Sequence, residues 1–115
     1  MTAEDFVKGF YLERKSLIDI YFSKENKTDV SDLIASMNLD AEGNYKLKQI
    51  LKAVLRDALY TVLLGLDGEA QIGGRQETYG ITDENGNILT GGEIVAFAWE
   101  YFHNRRFENN IEQKY

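Results

Sequence analysis

Glu100 and His103 are the side chains whose types and spacing come closest to a metal site. They are three residues apart, the spacing that carboxylate-bridged di-iron bundles use to place two ligands on one metal. Such bundles contain this pair twice, together with two further carboxylates, whereas this chain has one histidine in total. A helical wheel also places His103 on the outer face of a C-terminal helix. We therefore predict no metal and interpret the pair as part of a solvated helix surface.

Asp83, Asn85 and Asn87 alternate in the way that ligands alternate at the start of a calcium-binding EF-hand loop. That loop also requires glycine at its sixth position and glutamate at its twelfth. The corresponding residues here are Ile88 and Ile94. The segment is therefore interpreted as a tight turn.

Sequence patterns of nucleophilic and phosphate-binding enzymes are absent from the chain. Its serines lie in the N-terminal third without a GxSxG motif, and there is no cysteine. Gly73 and Gly74 are not followed by the Lys and Ser or Thr of a phosphate-binding loop, and no GxGxxG motif occurs. We predict no catalytic residue and no cofactor, and these absent motifs lean away from an enzyme.

The C-terminal helix carries residues typical of a protein-binding surface. Trp99, His103 and Arg106 follow one side of it, and an exposed Trp beside Arg is typical of binding hot spots. Glu93 and Glu100 flank the other side. The alternative is that Trp99 belongs to the core, where large aromatic side chains usually lie.

A small-molecule or enzymatic pocket is a rival interpretation. It would lie near Gly73 and Gly74, between the predicted hairpin and the helices, with polar side chains converging in it. Its candidate residues are Asp67, Arg75, Tyr79 and Glu100. Arg75 is the only basic residue between Asp67 and Glu100.

The elements that must position these residues form one predicted α+β domain over residues 1–115, mainly helical. Apolar residues at helical spacing and the turn residues between them set the boundaries. The predicted elements are helices at about 2–22, 29–38, 45–66 and 92–106, a β-hairpin at about 76–90 and a frayed tail at 107–115.

The helix predicted over 45–66 has an apolar stripe covering close to half its circumference, which indicates packing against several elements at once. Its polar side carries Lys48, Lys52 and Arg56 at four-residue intervals, predicted to be a solvated face rather than an anion site. Gly65 and Gly68 then favour the end of the helix. The hairpin is expected to turn at Gly86, and to lie on the helices because an isolated two-stranded hairpin is marginal in water.

Composition restricts the partners. The hydrophobic share of 43% indicates a globular chain, and the net charge of −6 argues against nucleic-acid binding. The acidity is uneven, because residues 67–115 contain 9 acids and 4 bases whereas residues 1–66 contain 10 and 9. No apolar run is long enough to cross a membrane and no signal peptide is evident, so a cytoplasmic protein is expected.

Three runs, LLGLDGEAQIGG, TYGITDENGNIL and GGEIVAFAWEYFH, resemble a segment of small, uncharacterised acidic bacterial proteins, with a general likeness to immunity proteins of bacterial toxin systems. The resemblance covers roughly residues 57–103. It implies an α+β domain that binds another protein, and no catalytic residues. We therefore predict a protein–protein interaction domain that inhibits a toxin with a basic surface; a homo-oligomer that covers Trp99 and Phe97 is a further alternative.

Overall fold

The computed structural model describes residues 1–104, which fold into four α-helices. They are α1 (Ala3–Tyr21), α2 (Asp29–Ser36), α3 (Ala41–Leu66) and α4 (Glu93–Phe102). The predicted α+β class is wrong, because the described part of the chain is all-α and contains no sheet. The predicted tail at 107–115 and the last residues of the helix predicted to end near 106, including Arg106, lie outside the described residues.

Side-chain caps set the starts of the first three helices. Thr2 and Asp5 form a reciprocal capping box on α1, and Thr28 and Ser31 form one on α2. Asp40 accepts a hydrogen bond of 2.7 Å from the Gly43 amide, so α3 begins at Ala41. This start is four residues earlier than predicted, since Asp40 begins the helix rather than separating two elements.

The core lies where α1, α3 and α4 pack together, while α2 packs on α1 alone among the helices. α1 and α4 each supply residues at helical spacing to this core. Its buried members are Ala3, Val7 and Tyr11 of α1, Leu63 of α3, Leu89 of the connecting segment, and Ile94, Ala98, Tyr101 and Phe102 of α4. Tyr101 also donates a 3.0 Å hydrogen bond to Glu4, which joins α4 to α1.

The predicted hairpin does not form a strand ladder. Its turn is present, because the Gly86 amide donates to the Asp83 carbonyl and Gly86 has φ of 84°. Beyond the turn only one bridge is present, between Thr82 and Ile88. The Ile81 amide donates to the Thr90 hydroxyl and not to a backbone carbonyl of a partner strand. Ile88 is 74% exposed. Pairing therefore stops one bridge beyond the turn, and no third strand adjoins it among the described residues.

Residues 67–92 therefore form a long connector between α3 and α4, without regular secondary structure. The connector is anchored by Ile72 against Gly65 of α3 and by Leu89 in the core. Gln76 adds a 2.7 Å hydrogen bond to the Gly68 carbonyl. A connector of this length is uncommon in a compact domain and is usually functional or mobile; here its anchors hold it on the helices.

The basic row of α3 is not the solvated face that was predicted. Lys52 is only 5% exposed, and the ammonium of Lys48 lies 5.4 Å from the centre of the Phe22 ring. Arg14 of α1, 4% exposed, donates from Nε to the Lys52 carbonyl at 3.1 Å. Basic side chains on this side of α3 thus take part in packing between helices.

Among residues 1–104, none of the helices is both long and apolar enough to span a lipid bilayer.

Candidate functional site

One face of α4 points away from the core and collects four of the predicted binding residues. Buried Ile94, Ala98 and Phe102 define the inner side of the helix. The opposite side, which we call the α4 face, consists of Glu93, Ala96, Trp99, Glu100 and His103. Trp99 is 55% exposed, so the alternative that it belongs to the core is not what the structure shows.

Trp99 is held in place by aromatic neighbours. Its indole stacks on the His103 ring with centroids 5.0 Å apart and planes 20° apart. His103 in turn meets the edge of Tyr60 of α3, 4.3 Å between centroids. An exposed Trp with restricted rotation loses little side-chain entropy on binding, which favours its use as an anchor. The sequence does not indicate the role of Tyr60, because its place beside α4 depends on how the two helices cross.

Asp67 has a structural task. Its carboxylate accepts hydrogen bonds from the amides of Gly91 at 2.7 Å, Gly92 at 3.0 Å and Val95 at 3.1 Å. It therefore caps the N-terminus of α4, whose own capping residue Gly92 has no side chain to do so. Asp67 thus positions the α4 face.

Arg75 and Tyr79 lie on the connector apart from the α4 face. Arg75 is paired with Glu77 at 2.9 Å, and 78% of its side chain is exposed. Tyr79 is 36% exposed. This arrangement counts against a pocket in which Arg75 converges with Asp67, because Arg75 is engaged by a surface acid and Asp67 by backbone amides.

The Asp83 turn is closed by its own hydrogen bonds. The carboxylate accepts from the amides of Asn85 and Asn87, from the Asn87 side chain at 2.8 Å and from the Met1 ammonium at 3.0 Å. The Asn87 side chain is the main cause that holds the pKa of Asp83 well below its ordinary value. All these partners donate hydrogen bonds, which agrees with a turn rather than a cation site.

Over residues 1–104 no cluster of three or more His, Asp or Glu side chains could hold a metal ion. A cleft of about 760 Å³ opens between the end of α1, α2 and the start of α3, and it contains none of the predicted site residues. Lys24 and Lys27 line this cleft. The Ser31 hydroxyl, which also lines it, is already engaged, because it donates to the Asn26 and Thr28 carbonyls. We assign no chemistry to this cleft.

A second exposed surface lies on α3. Ile50, Val54, Ala58 and Val62 follow one another at four-residue intervals and form what we call the α3 row. They are exposed, by 58%, 53% and 38% for Ile50, Val54 and Val62. The signal for this surface in the sequence is the wide apolar stripe of the helix, which predicts packing against several elements within the molecule; these four residues are exposed instead.

No family model, curated protein or solved structure matches this chain.

Proposed function

We propose that this protein is a small acidic interaction domain that binds another protein through the α4 face. The observation that carries the proposal is the exposure of Trp99 together with its fixed stacking on His103. Trp is the residue most typical of binding hot spots. Burying its exposed half against a partner removes apolar surface from water, which favours binding.

Charge around the face supports a basic partner. Residues 67–104, which comprise the connector and α4, contain seven acids and one base, Arg75. Glu93 lies on the α4 face, and Glu69 and Glu84 are exposed on the connector. Such a concentration of negative charge speeds the approach of a positively charged surface.

We propose further that the partner is a toxin and that this domain is its immunity-type inhibitor. An acidic surface with a central aromatic anchor suits the occlusion of a basic cleft, since carboxylates can stand where substrate phosphates would bind. Asp67 supports this arrangement by fixing α4 relative to the acidic connector.

The test is neutralisation of a toxin encoded next to this gene. Cells producing that toxin should survive when the wild-type protein is co-expressed, and the two proteins should co-purify. Trp99→Ala should weaken the complex by about 2 kcal/mol, the scale of a hot-spot residue. Leu33→Ala is the matched control, because Leu33 is 67% exposed on α2.

Equal loss of binding in the Trp99→Ala and Leu33→Ala proteins would show that the α4 face is not the binding surface. Absence of both a co-purifying protein and any protection would remove the inhibitor proposal.

A further inference from the structure

Two cationic side chains are buried side by side where α1 contacts α3. Arg14 of α1 is 4% exposed and Lys52 of α3 is 5% exposed. The Nε of Arg14 donates to the Lys52 carbonyl at 3.1 Å, so the guanidinium lies against the turn of α3 that carries Lys52. Arg and Lys are almost never buried to this extent unless they are paired, because a buried charge has lost its water. These two positive charges therefore require negative charge close by.

Neighbouring positions on the two helices do not supply that negative charge. Residues three and four positions from Arg14 along α1, and from Lys52 along α3, share a side of the helix with them. None of these residues is Asp or Glu. Glu13, next to Arg14, is exposed, and Asp57 is exposed and accepts from Arg56 at 3.2 Å. The balancing charge therefore comes from outside these helix sides.

The acids of α2 and α4 are also poorly placed to balance Lys52. Asp29 and Asp32 of α2 are exposed, and α2 packs on α1 alone among the helices. The end of α4 meets α3 at Tyr60, which is eight residues, or about 12 Å, farther along α3 than Lys52. The anionic group at this contact is therefore sought beyond residues 1–104 or in solution.

A third buried donor lies on the same side of α3. Gln49 precedes Lys52 by three residues, so the two side chains leave the helix in similar directions. The Gln49 Nε2 atom is buried and has no hydrogen-bond acceptor in the described part of the chain. A buried amide donor is costly to leave unsatisfied. A group that suits all three side chains must accept hydrogen bonds and carry negative charge.

We propose that Arg14, Gln49 and Lys52, which we call the donor cluster, bind an oxyanion between α1 and α3. A carboxylate or a phosphate offers the oxygens that these donors need, because the planar guanidinium can hold two oxygens at once and the ammonium acts as a point charge. Two sources have this chemistry. One is the carboxylate of Glu108 or Glu112, in the part of the chain beyond residue 104. The other is free phosphate.

Urea denaturation in inorganic phosphate tests the free anion, because an anion that binds only the folded protein stabilises it. Replacing chloride with roughly 20 mM phosphate at constant ionic strength should raise the wild-type urea midpoint by about 1 M if solution supplies the anion. Lys52→Met keeps the length of the side chain without its charge and should show no such rise. This comparison separates binding at the donor cluster from the general stabilisation that phosphate gives.

Removal of one carboxylate at a time tests the chain's own acids. If one of them fills the site, Glu108→Gln or Glu112→Gln should lower the wild-type urea midpoint by about 1 M. The same change should have much less effect in Lys52→Met, where the interaction is already lost. Glu25→Gln is the control, because Glu25 is an exposed acid. Should Lys52→Met lose its helical circular dichroism, Gln49→Leu replaces it in both series.

A response to phosphate or to loss of a carboxylate that disappears with the donor cluster supports the anion site and identifies its source. A urea midpoint that neither treatment moves beyond its control would overturn the proposal. So would a response of equal size in the wild type and in the variant that lacks Lys52 or Gln49.

Discussion

Asp67 is the side chain on which the placement of α4 most depends. Asp67→Ala removes the acceptor for the amides of Gly91, Gly92 and Val95, which the helix cannot replace from its own residues. We expect a loss of about 2 kcal/mol in the free energy of unfolding, at the upper end for a capping residue. Urea denaturation measures it.

Asp67→Asn is an informative companion variant, since its amide oxygen keeps one acceptor and should retain part of the stability. Glu84→Ala serves as the control for removing a surface acid without capping contacts. An urea midpoint unchanged in Asp67→Ala would contradict the capping role.

Asp83 makes the free energy of unfolding depend on pH in the acidic range. Its pKa is lowered in the folded protein from 3.8, chiefly by the Asn87 side chain. A lowered pKa means that the folded state favours the carboxylate, so this contribution is fully present above about pH 4 and is lost as pH falls toward the folded value. Asp83→Asn should therefore flatten the fall in urea midpoint below pH 4.

Some slope should persist in Asp83→Asn, because the Thr2 amide also lowers the pKa of Asp5. A variant whose midpoint follows the wild-type curve down to pH 2 would exclude Asp83 as a source of the acid sensitivity.

Residue type and helical spacing were enough to place Trp99 and His103 on one side of the last helix, but they placed Glu93 and Glu100 on the other side, whereas all four lie on the α4 face. They were not enough for Lys52, predicted to be solvated and found buried, because its burial depends on how α1 packs against α3, where Arg14 donates to the Lys52 carbonyl. Nor could they show that Asp67 is engaged by amides 24 to 28 positions away. Such contacts depend on the crossing of helices, which spacing within one helix does not encode.

Gly65 shows how α3 accommodates the connector. A Cβ at this position would overlap the side chain of Ile72, well inside van der Waals contact. Gly65→Ala gains about 1 kcal/mol of helix propensity but must displace Ile72, at a cost of about 1 to 3 kcal/mol. We expect net destabilisation, measured by urea denaturation.

Two companion variants separate these effects. Gly9→Ala on α1 meets no atom within 4 Å and should stabilise by about 1 kcal/mol. In an Ile72→Ala background the obstacle is gone, so Gly65→Ala should become stabilising as well. Destabilisation that persists in that background would mean that Ile72 is not the cause.

Elements with strong helical periodicity were predictable, whereas the element between them was not. Thr2, Thr28 and the apolar spacing indicated α1 and α2 within a few residues of their observed ends. The hairpin prediction rested on turn chemistry at Gly86, and that turn exists. Turn residues specify a reversal of the chain, but a ladder also needs continued backbone pairing, and here the Ile81 amide donates to the Thr90 hydroxyl instead.

Across residues 1–104, charge is divided between a near-neutral part, residues 1–66, and an acidic part, residues 67–104. If the acidic part steers a basic partner, Glu69→Gln with Glu84→Gln should slow association while leaving dissociation unchanged. Stopped-flow kinetics with the co-purified partner measures both rates. The effect should shrink at high salt, where the screening length shortens.

The matched double variant is Glu13→Gln with Glu25→Gln, which removes the same charge from the near-neutral part at exposed positions. Equal slowing by both double variants would show that net charge, rather than its location, governs association.

The hydrogen bonds from Gly91 and Gly92 to Asp67 join the two ends of the connector, so the connector is a closed loop at its base. The entropy of closing a loop rises slowly, by about 0.6 kcal/mol for each doubling of its length. A peptide inserted after Gly86, at the exposed tip of the Asp83 turn, would therefore cost little stability while Ile72 and Leu89 keep their anchoring contacts. The domain thus offers an insertion point for a reporter or an epitope, separate from both the α4 face and the α3 row.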